Sequence, residues 1–588
     1  MPFGASEDER GERRRPGKED VELYIRTYAA LLRSSGEVRL QVLEQSHIGM
    51  ASSLHPKAGS PEPDTGALIY ALRRLPPAIT AVRRVLLGQS AEVFMRALHI
   101  NVEQWTMQSS PGRRRRYYFD GHDTLAVYIA SFSDIHDIIP QLVALQIEWN
   151  KLHALLAVED LTQLDSIEPQ LALAHRLGIS EADWMRLLEI WGDELIEHLA
   201  RIKAEEKNFT VRMLGGTEVG YVKATRRWWQ PIEAVLEREH VTDRPVYFVS
   251  SNTHSFVNLL SGSARRHQKE IIAFIEETNN LELLPELRKL RQGQSRGNWD
   301  NFLYYAARVF YSQHPDAQRL RAERSEEEAK RGIHYIASEA GLDLAAQIIV
   351  LDRLEASSLD PRLGSPDTDL LRKSSAIVIN INYPLGLAAY NVLRQVAESV
   401  ETLRGVYVLG KAATLNGSIG DVMIANVLYD EHSENTYWLD NCFSYSDVAP
   451  FLVYGSALDN QRGVTVKGTF LQNRGYLDFY HRESFTVVEM EAGPYLNAAY
   501  EMVQSSRYPV RENINFTKLP FDCGVLHYAS DTPYTQARTL GARGLSYYGM
   551  DSSYASSVAI LRRIFGQEHV LKQDAPATWR EATATEGA

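Results

Sequence analysis

Apolar residues recur at intervals of three and four residues from Val21 to about Ala346, and this spacing predicts helices with one buried face. Stretches such as IIPQLVALQIEWNKLHALL and ADWMRLLEIWGDELIEHLARI are typical of the region. After a stretch at 356–369 that is rich in Pro, Ser, Gly and Asp, the pattern changes. Short β-branched runs, such as SAIVININ, then alternate with helical segments, which is typical of an α/β domain with buried strands.

The pattern therefore predicts a division of the chain into two folded parts with polar ends. The predicted segments are a disordered tail at 1–20, a mainly α-helical region of one or two subdomains at 21–355, a linker at 356–373, an α/β domain at 374–567 and a second disordered tail at 568–588.

The composition is that of an ordinary globular protein, with 588 residues of which 44% are hydrophobic and 23% charged. A formal net charge of −12 argues against non-specific binding to nucleic acid. No run has the length of a membrane span, and the N-terminal residues lack the apolar core of a signal peptide. With two cysteines and no histidine spacing typical of a metal site, a cytoplasmic protein without a metal is expected.

One strand-like stretch interrupts the helical region. The segment 244–262, RPVYFVSSNTHSFVNLLSG, predicts a short strand, a polar turn and then a helix. The hydroxyls and backbone amides of 250–253 are suited to hold an anion at the helix start. The alternative is an ordinary helix N-cap, for which these residue types are generally preferred.

An arginine run at 112–120, GRRRRYYFD, is the second unusual stretch of this region. Its four arginines and two tyrosines are suited to bind a phosphate or to stack on a base. The alternative is the charged edge of an exposed β-hairpin.

Three strands of the α/β domain end in polar or acidic residues. The run GVYVLG continues into KAATLNGSIGD, FTVVEM continues into EAGPYL, and GVLHYAS continues into DTPY. The carboxyl ends of buried strands are the usual position of a site in such a domain. Taken singly, each acid is also explained as a cap or turn residue, and Asp531 before Thr532-Pro533 fits a cap.

Together, these strand ends resemble the nucleoside phosphorylase and nucleosidase superfamily, which has a Gly-rich strand end, an IGD turn, an MEA segment and an SD motif. The resemblance covers approximately 374–566. Within the superfamily the stretch IVININYPLGLAAYNVLRQVAESVETLRGVYVLG, the run IGDVMIANVLYD and SDTPYTQAR are similar to AMP nucleosidase. The whole chain also resembles an uncharacterised bacterial family that carries this domain.

The resemblance implies a three-layer α/β domain with a mixed central sheet. It also implies an N-glycosidase that hydrolyses the base–ribose bond of a purine nucleotide or nucleoside, without a cofactor. Its partner is a small molecule, and the protein is expected to be a homo-oligomer because members of the superfamily form trimers or hexamers.

The resemblance assigns roles to residues of two of these motifs. Glu491 matches the acid that binds the ribose hydroxyls, with Met490 beside the sugar. Asp531 matches the acid near N7 of the purine, and Arg538 follows on the same loop, where it would support Asp531 or a phosphate. The expected contacts to the base come from Val488 and Ser530.

The chain departs from the superfamily at two places. Gly410-Lys411-Ala412-Ala413 stands where many relatives have a Gly-Thr-x-Gly or Gly-His-x-Gly-Gly pattern. Lys411 therefore brings a positive charge suited to a phosphorylated substrate, unless it pairs with an acid such as Asp421. The segment 382–385, NYPL, replaces the phosphate-binding segment of the phosphorylases, which favours water as the nucleophile. Two alternatives remain: a phosphorylase that binds phosphate through Lys411 and Arg394, and a nucleotide sensor without catalysis.

Overall fold

A computed structural model describes residues 17–34, 36–337, 342–364, 366–504, 506–533 and 549–571. Among these residues, no helix is both long enough and apolar enough to cross a membrane. The helices are α1 (Lys18–Ser34), α2 (Glu44–Gly49), α3 (Thr65–Arg74), α4 (Ala91–Leu98), α5 (Phe132–Leu156), α6 (Ile167–Arg176), α7 (Glu181–Trp191), α8 (Leu195–Ala204), α9 (Glu218–Arg238), α10 (Ser255–Ser261), α11 (Ser263–Arg266), α12 (Gln268–Glu277), α13 (Leu283–Arg291), α14 (Trp299–Gln313), α15 (Ala317–Lys330), α16 (Thr368–Leu371), α17 (Ala388–Ser399), α18 (Tyr445–Val448), α19 (Arg474–Arg482), α20 (Ala492–Val503) and α21 (Met550–Gln567). The strands are β1 (Val38–Arg39), β2 (Arg84–Gly88), β3 (Thr106–Ser110), β4 (Arg113–Phe119), β5 (Thr124–Tyr128), β6 (Thr210–Met213), β7 (Val246–Ser251), β8 (Ile333–Ile336), β9 (Ala346–Val350), β10 (Ile377–Asn382), β11 (Leu403–Thr414), β12 (Val422–Asp430), β13 (Thr436–Leu439), β14 (Ala457–Thr465), β15 (Val487–Glu489), β16 (Asn513–Phe516) and β17 (Asp522–Asp531).

The N-terminal part contains a sheet that the helical pattern did not predict. Six strands form this small sheet in the order β1-β6-β2-β5-β4-β3, and helices α1, α3, α5, α7 and α8 share its core. Its strands have at most seven residues, whereas helix α5 has 25, so the helical period dominates the sequence of the region. The predicted mainly helical N-terminal region is confirmed, and its helices pack around a mixed sheet that the pattern did not indicate.

The large sheet contains eleven of the described strands, in the order β16-β13-β12-β14-β15-β11-β7-β10-β9-β8, with β17 paired to β11 and β12. Parallel pairs such as β7–β10 and antiparallel pairs such as β9–β10 make it a mixed sheet. Side chains of α9, α17 and α20 cover one face, and side chains of α10, α12, α14 and α21 cover the other. The predicted α/β class is confirmed, and burial on both faces explains the β-branched residues at 377, 378, 379 and 381 of β10.

The large sheet extends across the predicted linker at 356–373. Strands β7, β8 and β9 precede this linker, yet β7 lies between β10 and β11, with Phe248 opposite Ile379 on one side and Val406 on the other. The linker itself is packed, because the buried Asp360 accepts the hydroxyl of Tyr304 at 2.6 Å. The structure therefore starts the α/β part near β7 rather than at 374, since strand pairing joins segments that are distant in sequence.

Residues at both ends of the described chain fold within the stretches that were predicted to be disordered tails. Helix α1 begins at Lys18, inside the stretch 1–20. The Glu568 carboxylate accepts the hydroxyls of Tyr247 and Ser374, each at 2.8 Å, and Val570 is fully buried. Residues 568–571 therefore belong to the packed protein, while the rest of both predicted tails lies outside the described residues.

Candidate active site

A cavity of about 1650 Å³ lies between the small sheet and the carboxyl ends of large-sheet strands. It is larger than the roughly 300–1000 Å³ of an ordinary small-molecule pocket. From the small-sheet side it is lined by residues that include Arg73, Arg74, Gly112, Arg113 and Asp134. From the large-sheet side it is lined by residues that include Asn252, His254, Tyr383, Lys411, Glu491 and Asp531.

The first acid of the VEMEA segment, Glu489, is a structural residue at the end of β15. Its Oε2 accepts the backbone N–H groups of Glu491 and Ala492, both at 2.7 Å, and its Oε1 accepts the hydroxyl of Thr465. Only 2% of Glu489 is exposed. Because the first N–H groups of a helix have no partner within the helix, this carboxylate caps α20.

The second acid, Glu491, lines the cavity at the start of α20. The backbone N–H of Gly386 donates to its Oε1 at 3.2 Å. Burial raises the pKa of Glu491 to about 8, and the nearby Glu489 carboxylate adds to this effect, while the Gly386 N–H and the Arg113 charge oppose it. The side chain is therefore mostly protonated at neutral pH.

Asp531 is the last residue of β17, and 6% of it is exposed. The register between β11 and β17 shifts after Ala412, so that Asp531 pairs with Ala413 at the cavity. Burial raises the pKa of Asp531 to about 6, while Arg74, the Ser530 hydroxyl and Lys411 act to lower it. An acid with this pKa exchanges its proton near physiological pH.

The structure brings four other predicted residues to the same cavity. Met490, Val488, Ser530 and Lys411 all line it. Lys411 is exposed, and the acid suggested as its structural partner, Asp421, instead accepts the backbone N–H groups of Ser418 and Ser456, both at 2.8 Å. The Lys411 charge is therefore available to the cavity.

Two predicted residues do not join this set. Arg394 lies on the exposed side of α17, where its Nε donates to Glu398 at 2.8 Å, and it is not part of the cavity lining. The prediction that Arg394 binds phosphate is corrected on this ground. Arg538 lies outside the described residues.

The turn after β7 forms a helix cap that also borders the cavity. Asn252 Oδ1 accepts the backbone N–H groups of His254 and Ser255 at 3.1 and 2.7 Å, which favours the N-cap interpretation of this stretch over an anion site. Asn252, Thr253 and His254 line the cavity. Burial, with Arg308 and Lys411, lowers the pKa of His254 to about 3, so its imidazole is neutral.

The arginine run lies in β4 of a β3–β4 hairpin, and its arginines contact different parts of the protein. Arg113 makes two hydrogen bonds to Asp137, at 2.9 and 2.7 Å, and also lines the cavity. Arg114 donates to the carbonyl oxygen of Tyr383 at 3.1 Å and lies 4.9 Å from the centre of its ring. The hairpin therefore contacts the loop after β10 and connects it to the small sheet. A hairpin edge that is only exposed and charged, the alternative considered for this run, would not make these contacts.

Sequence reasoning did not identify Arg74 as a candidate. Two arginines at the end of a helix, as in α3, are normally explained by their attraction to the helix C-terminus. Only the fold shows that Arg74 lines the cavity, beside Gly112. A Cβ at Gly112 would lie 2.9 Å from the carbonyl oxygen of Arg73 and 3.0 Å from Cγ of Arg74, so this close approach requires glycine.

Several solved structures match part of the chain. The 5′-methylthioadenosine/S-adenosylhomocysteine nucleosidase of Streptococcus pneumoniae is 12% identical, with 41% of this chain and 92% of that chain covered and a TM-score of 0.26. The corresponding nucleosidase of Colwellia psychrerythraea is 12% identical, with 41% and 89% covered and a TM-score of 0.25. A futalosine hydrolase mutant of Helicobacter pylori is 12% identical, with 39% and 89% covered and a TM-score of 0.26.

Comparison with curated proteins gives no match. The model of one protein family matches residues 40–566, a span that includes the small sheet except β1, the large sheet and the cavity between them. The chain therefore belongs to the family of unknown function DUF6909.

Proposed function

We propose that this protein is an N-glycosidase that hydrolyses the base–ribose bond of a purine nucleoside or nucleotide. One observation carries the proposal: Glu491 follows β15 and Asp531 ends β17, the two strands flank β11 at Ala413, and both acids line the same cavity and have raised pKa values. Two carboxyl groups in one cavity, with pKa values held apart by their surroundings, are suited to separate roles in catalysis.

Asp531 is assigned to the leaving base. With a pKa of about 6, a fraction of Asp531 is protonated at neutral pH and can donate to a ring nitrogen of the purine. As the C–N bond breaks, the base leaves with the bonding electron pair and the proton neutralises it. The ribose then carries positive charge in an oxocarbenium-like state until water adds to it, and the proton that this water loses returns to the Asp531 carboxylate.

Glu491 is assigned to the ribose. Its Oε1 already accepts the N–H of Gly386, so sugar hydroxyls would donate to the remaining acceptor sites of the carboxyl group. Met490 lies next to it in the lining and provides an apolar contact for the sugar. Hydrogen bonds to the hydroxyls fix the ring with its C–N bond toward Asp531, and such positioning contributes directly to rate.

Water is the proposed nucleophile. The segment 382–385 lacks the residues with which phosphorylases bind phosphate, and Arg394 is absent from the cavity lining. The neutral imidazole of His254 and the polar turn around Asn252 provide hydrogen-bonding groups at the end of β7. These groups are suited to hold a water molecule without a metal.

The direct test is to incubate the protein with a panel of purine and pyrimidine nucleosides and nucleotides, with and without inorganic phosphate, and to measure free base and sugar products. Release of base with free ribose or ribose phosphate, independent of phosphate, is the expected result. Product that forms only with phosphate would identify a phosphorylase. Tight binding without release of base would identify a nucleotide sensor. The Asp531→Asn protein serves as the control for contaminating activity.

A further inference from the structure

We infer that Arg74 and Arg113 form a subsite for a phosphoryl group of the substrate, on the small-sheet wall of the cavity. The inference deepens the proposed function and rests on it, because it names the substrate as a phosphorylated nucleoside. The two arginines come from α3 and β4, outside the part of the chain that resembles nucleosidases.

Arg74 is a buried cation without an acidic partner. Only 7% of the residue is exposed, and no carboxylate of the described residues lies within ion-pair distance of it. Its Nη1 donates to the carbonyl oxygen of Tyr70 at 3.4 Å, its guanidinium lies 3.5 Å from the centre of the Tyr70 ring, and its Nε is buried without a hydrogen-bond partner. Burial lowers the pKa of the Arg74 guanidinium as a result. A buried charge is normally paired with an opposite charge, so we expect an anionic group of a ligand to bind Arg74.

The neighbouring Arg113 and Arg115, unlike Arg74, each form ion pairs with carboxylates. Arg115 donates to Asp134 at 2.8 and 2.6 Å and to Asp137 at 3.1 Å. Arg113 shares Asp137 through two further hydrogen bonds. Asp134 and Asp137 are thus paired with Arg113 and Arg115, and Arg74 has no carboxylate of its own at the cavity wall.

The positive charges of Arg74 and Arg113 act on the two proposed catalytic acids. The Arg74 charge acts to lower the pKa of Asp531, and the Arg113 charge acts to lower the pKa of Glu491. Lys411 adds a positive charge from the large sheet. A ligand that reaches Glu491 and Asp531 therefore also enters the field of these cations, and a phosphoryl group suits the guanidinium because its oxygens accept two parallel hydrogen bonds.

The volume of the cavity is consistent with such a ligand. At about 1650 Å³ the space exceeds the range of roughly 300–1000 Å³ in which drug-sized ligands bind. A nucleoside held at the sheet edge leaves room for an anionic group toward α3 and β4. A nucleotide would reach both parts of the cavity without filling it.

The test measures equilibrium binding by calorimetry in protein that carries Asp531→Asn, so that substrate is not consumed. The probes are a purine nucleoside, its 5′-monophosphate, ribose 5-phosphate and inorganic phosphate. Arg74→Met should weaken binding of the monophosphate and of ribose 5-phosphate by about 10- to 100-fold, the usual loss for a hydrogen-bonded charge, and change nucleoside binding by less than about threefold. Arg394→Met removes the same charge outside the cavity and should change neither.

Arg74→Lys is a second variant in case Arg74→Met does not fold, because lysine keeps the positive charge and lacks only the planar guanidinium. The affinity of Arg74→Lys for the monophosphate should lie between those of the native protein and Arg74→Met. Equal losses for nucleoside and monophosphate would overturn the inference. So would a loss confined to inorganic phosphate, since that result would assign the arginines to free phosphate rather than to the substrate.

The base-release assay separates this inference from the proposed function. If native protein releases no base from any nucleoside or nucleotide, the N-glycosidase proposal fails. Binding of ribose 5-phosphate that depends on Arg74 would still support the phosphoryl subsite in that case. If base is released and Arg74→Met leaves the preference for the monophosphate unchanged, the subsite fails and the activity stands.

Discussion

The Glu489 carboxylate accepts the backbone N–H of Glu491 at 2.7 Å, so the first acid of the VEMEA segment holds the second in place. Glu489 also caps Ala492 and binds the hydroxyl of Thr465, and it is almost fully buried. Glu491 keeps its side chain at the cavity. Two acids that are nearly adjacent in sequence therefore have different hydrogen-bond partners, and mutations can distinguish them.

Asp531→Asn should reduce kcat by about 10²- to 10⁴-fold, the usual range for loss of a general acid. The amide has nearly the same shape but cannot transfer a proton to the leaving base. Binding of the substrate, measured by calorimetry, should change little, and the thermal unfolding temperature should not fall. If activity and thermal stability fall together, Asp531 has a structural role instead.

The pH dependence of kcat/KM should report the same group. Asp531 donates only when protonated, so kcat/KM should decrease as the pH rises above about 6. Arg74, Ser530 and Lys411 act to lower this pKa. Lys411→Ala removes one of these positive charges and should therefore move the descending limb to higher pH. A limb that stays in place in Lys411→Ala would show that Lys411 does not act on Asp531.

Glu491→Gln should raise thermal stability at alkaline pH while lowering activity. The folded pKa of Glu491, about 8, is above that of an unfolded glutamate, so the native protein binds a proton that the unfolded chain releases. Stability from this group is complete below about pH 4.5 and is lost as the pH rises through 8. Glutamine does not titrate, so the unfolding temperature of the variant relative to the native protein should increase from pH 5 to pH 8.

Asp531→Asn provides the matched control for that experiment. The pKa of Asp531 in the folded protein is about 6. The unfolding temperature of Asp531→Asn relative to the native protein should therefore stop increasing near pH 6, whereas that of Glu491→Gln increases up to about pH 8. Differences in unfolding temperature that are independent of pH in both variants would contradict the proposed burial of the two acids. Scanning calorimetry at several pH values measures both.

Glu489→Gln should destabilise the protein, in contrast to the other two variants. The amide retains one oxygen for the N–H groups of Glu491 and Ala492 and for the hydroxyl of Thr465, and its NH₂ group then faces a donor. We expect a loss of about 1–3 kcal/mol in the free energy of unfolding, typical of a buried group left without its partner. Denaturant unfolding measures this loss, and an unchanged midpoint would show that α20 does not depend on the cap.

Local patterns were sufficient to predict part of this fold. The β-branched residues at 377, 378, 379 and 381 identified a strand buried on both faces, and this pattern is visible in the sequence because side chains on both faces are apolar. In the small sheet, by contrast, the strands β2 and β5 have only five residues each, in a region rich in helices. The helical period concealed them, and the partners that stabilise them are distant in sequence.

Local patterns were enough to predict the class of the C-terminal part, and the resemblance of its strand ends to nucleosidases identified Glu491 and Asp531 as candidates. The fold shows that Glu489, which also lines the cavity, is held by the backbone N–H groups of Glu491 and Ala492, a role that the spacing of the acids does not predict. It also placed β7 at the centre of the large sheet and Arg74 in the cavity. Both placements result from packing between segments that are far apart in the chain, and no local spacing encodes them.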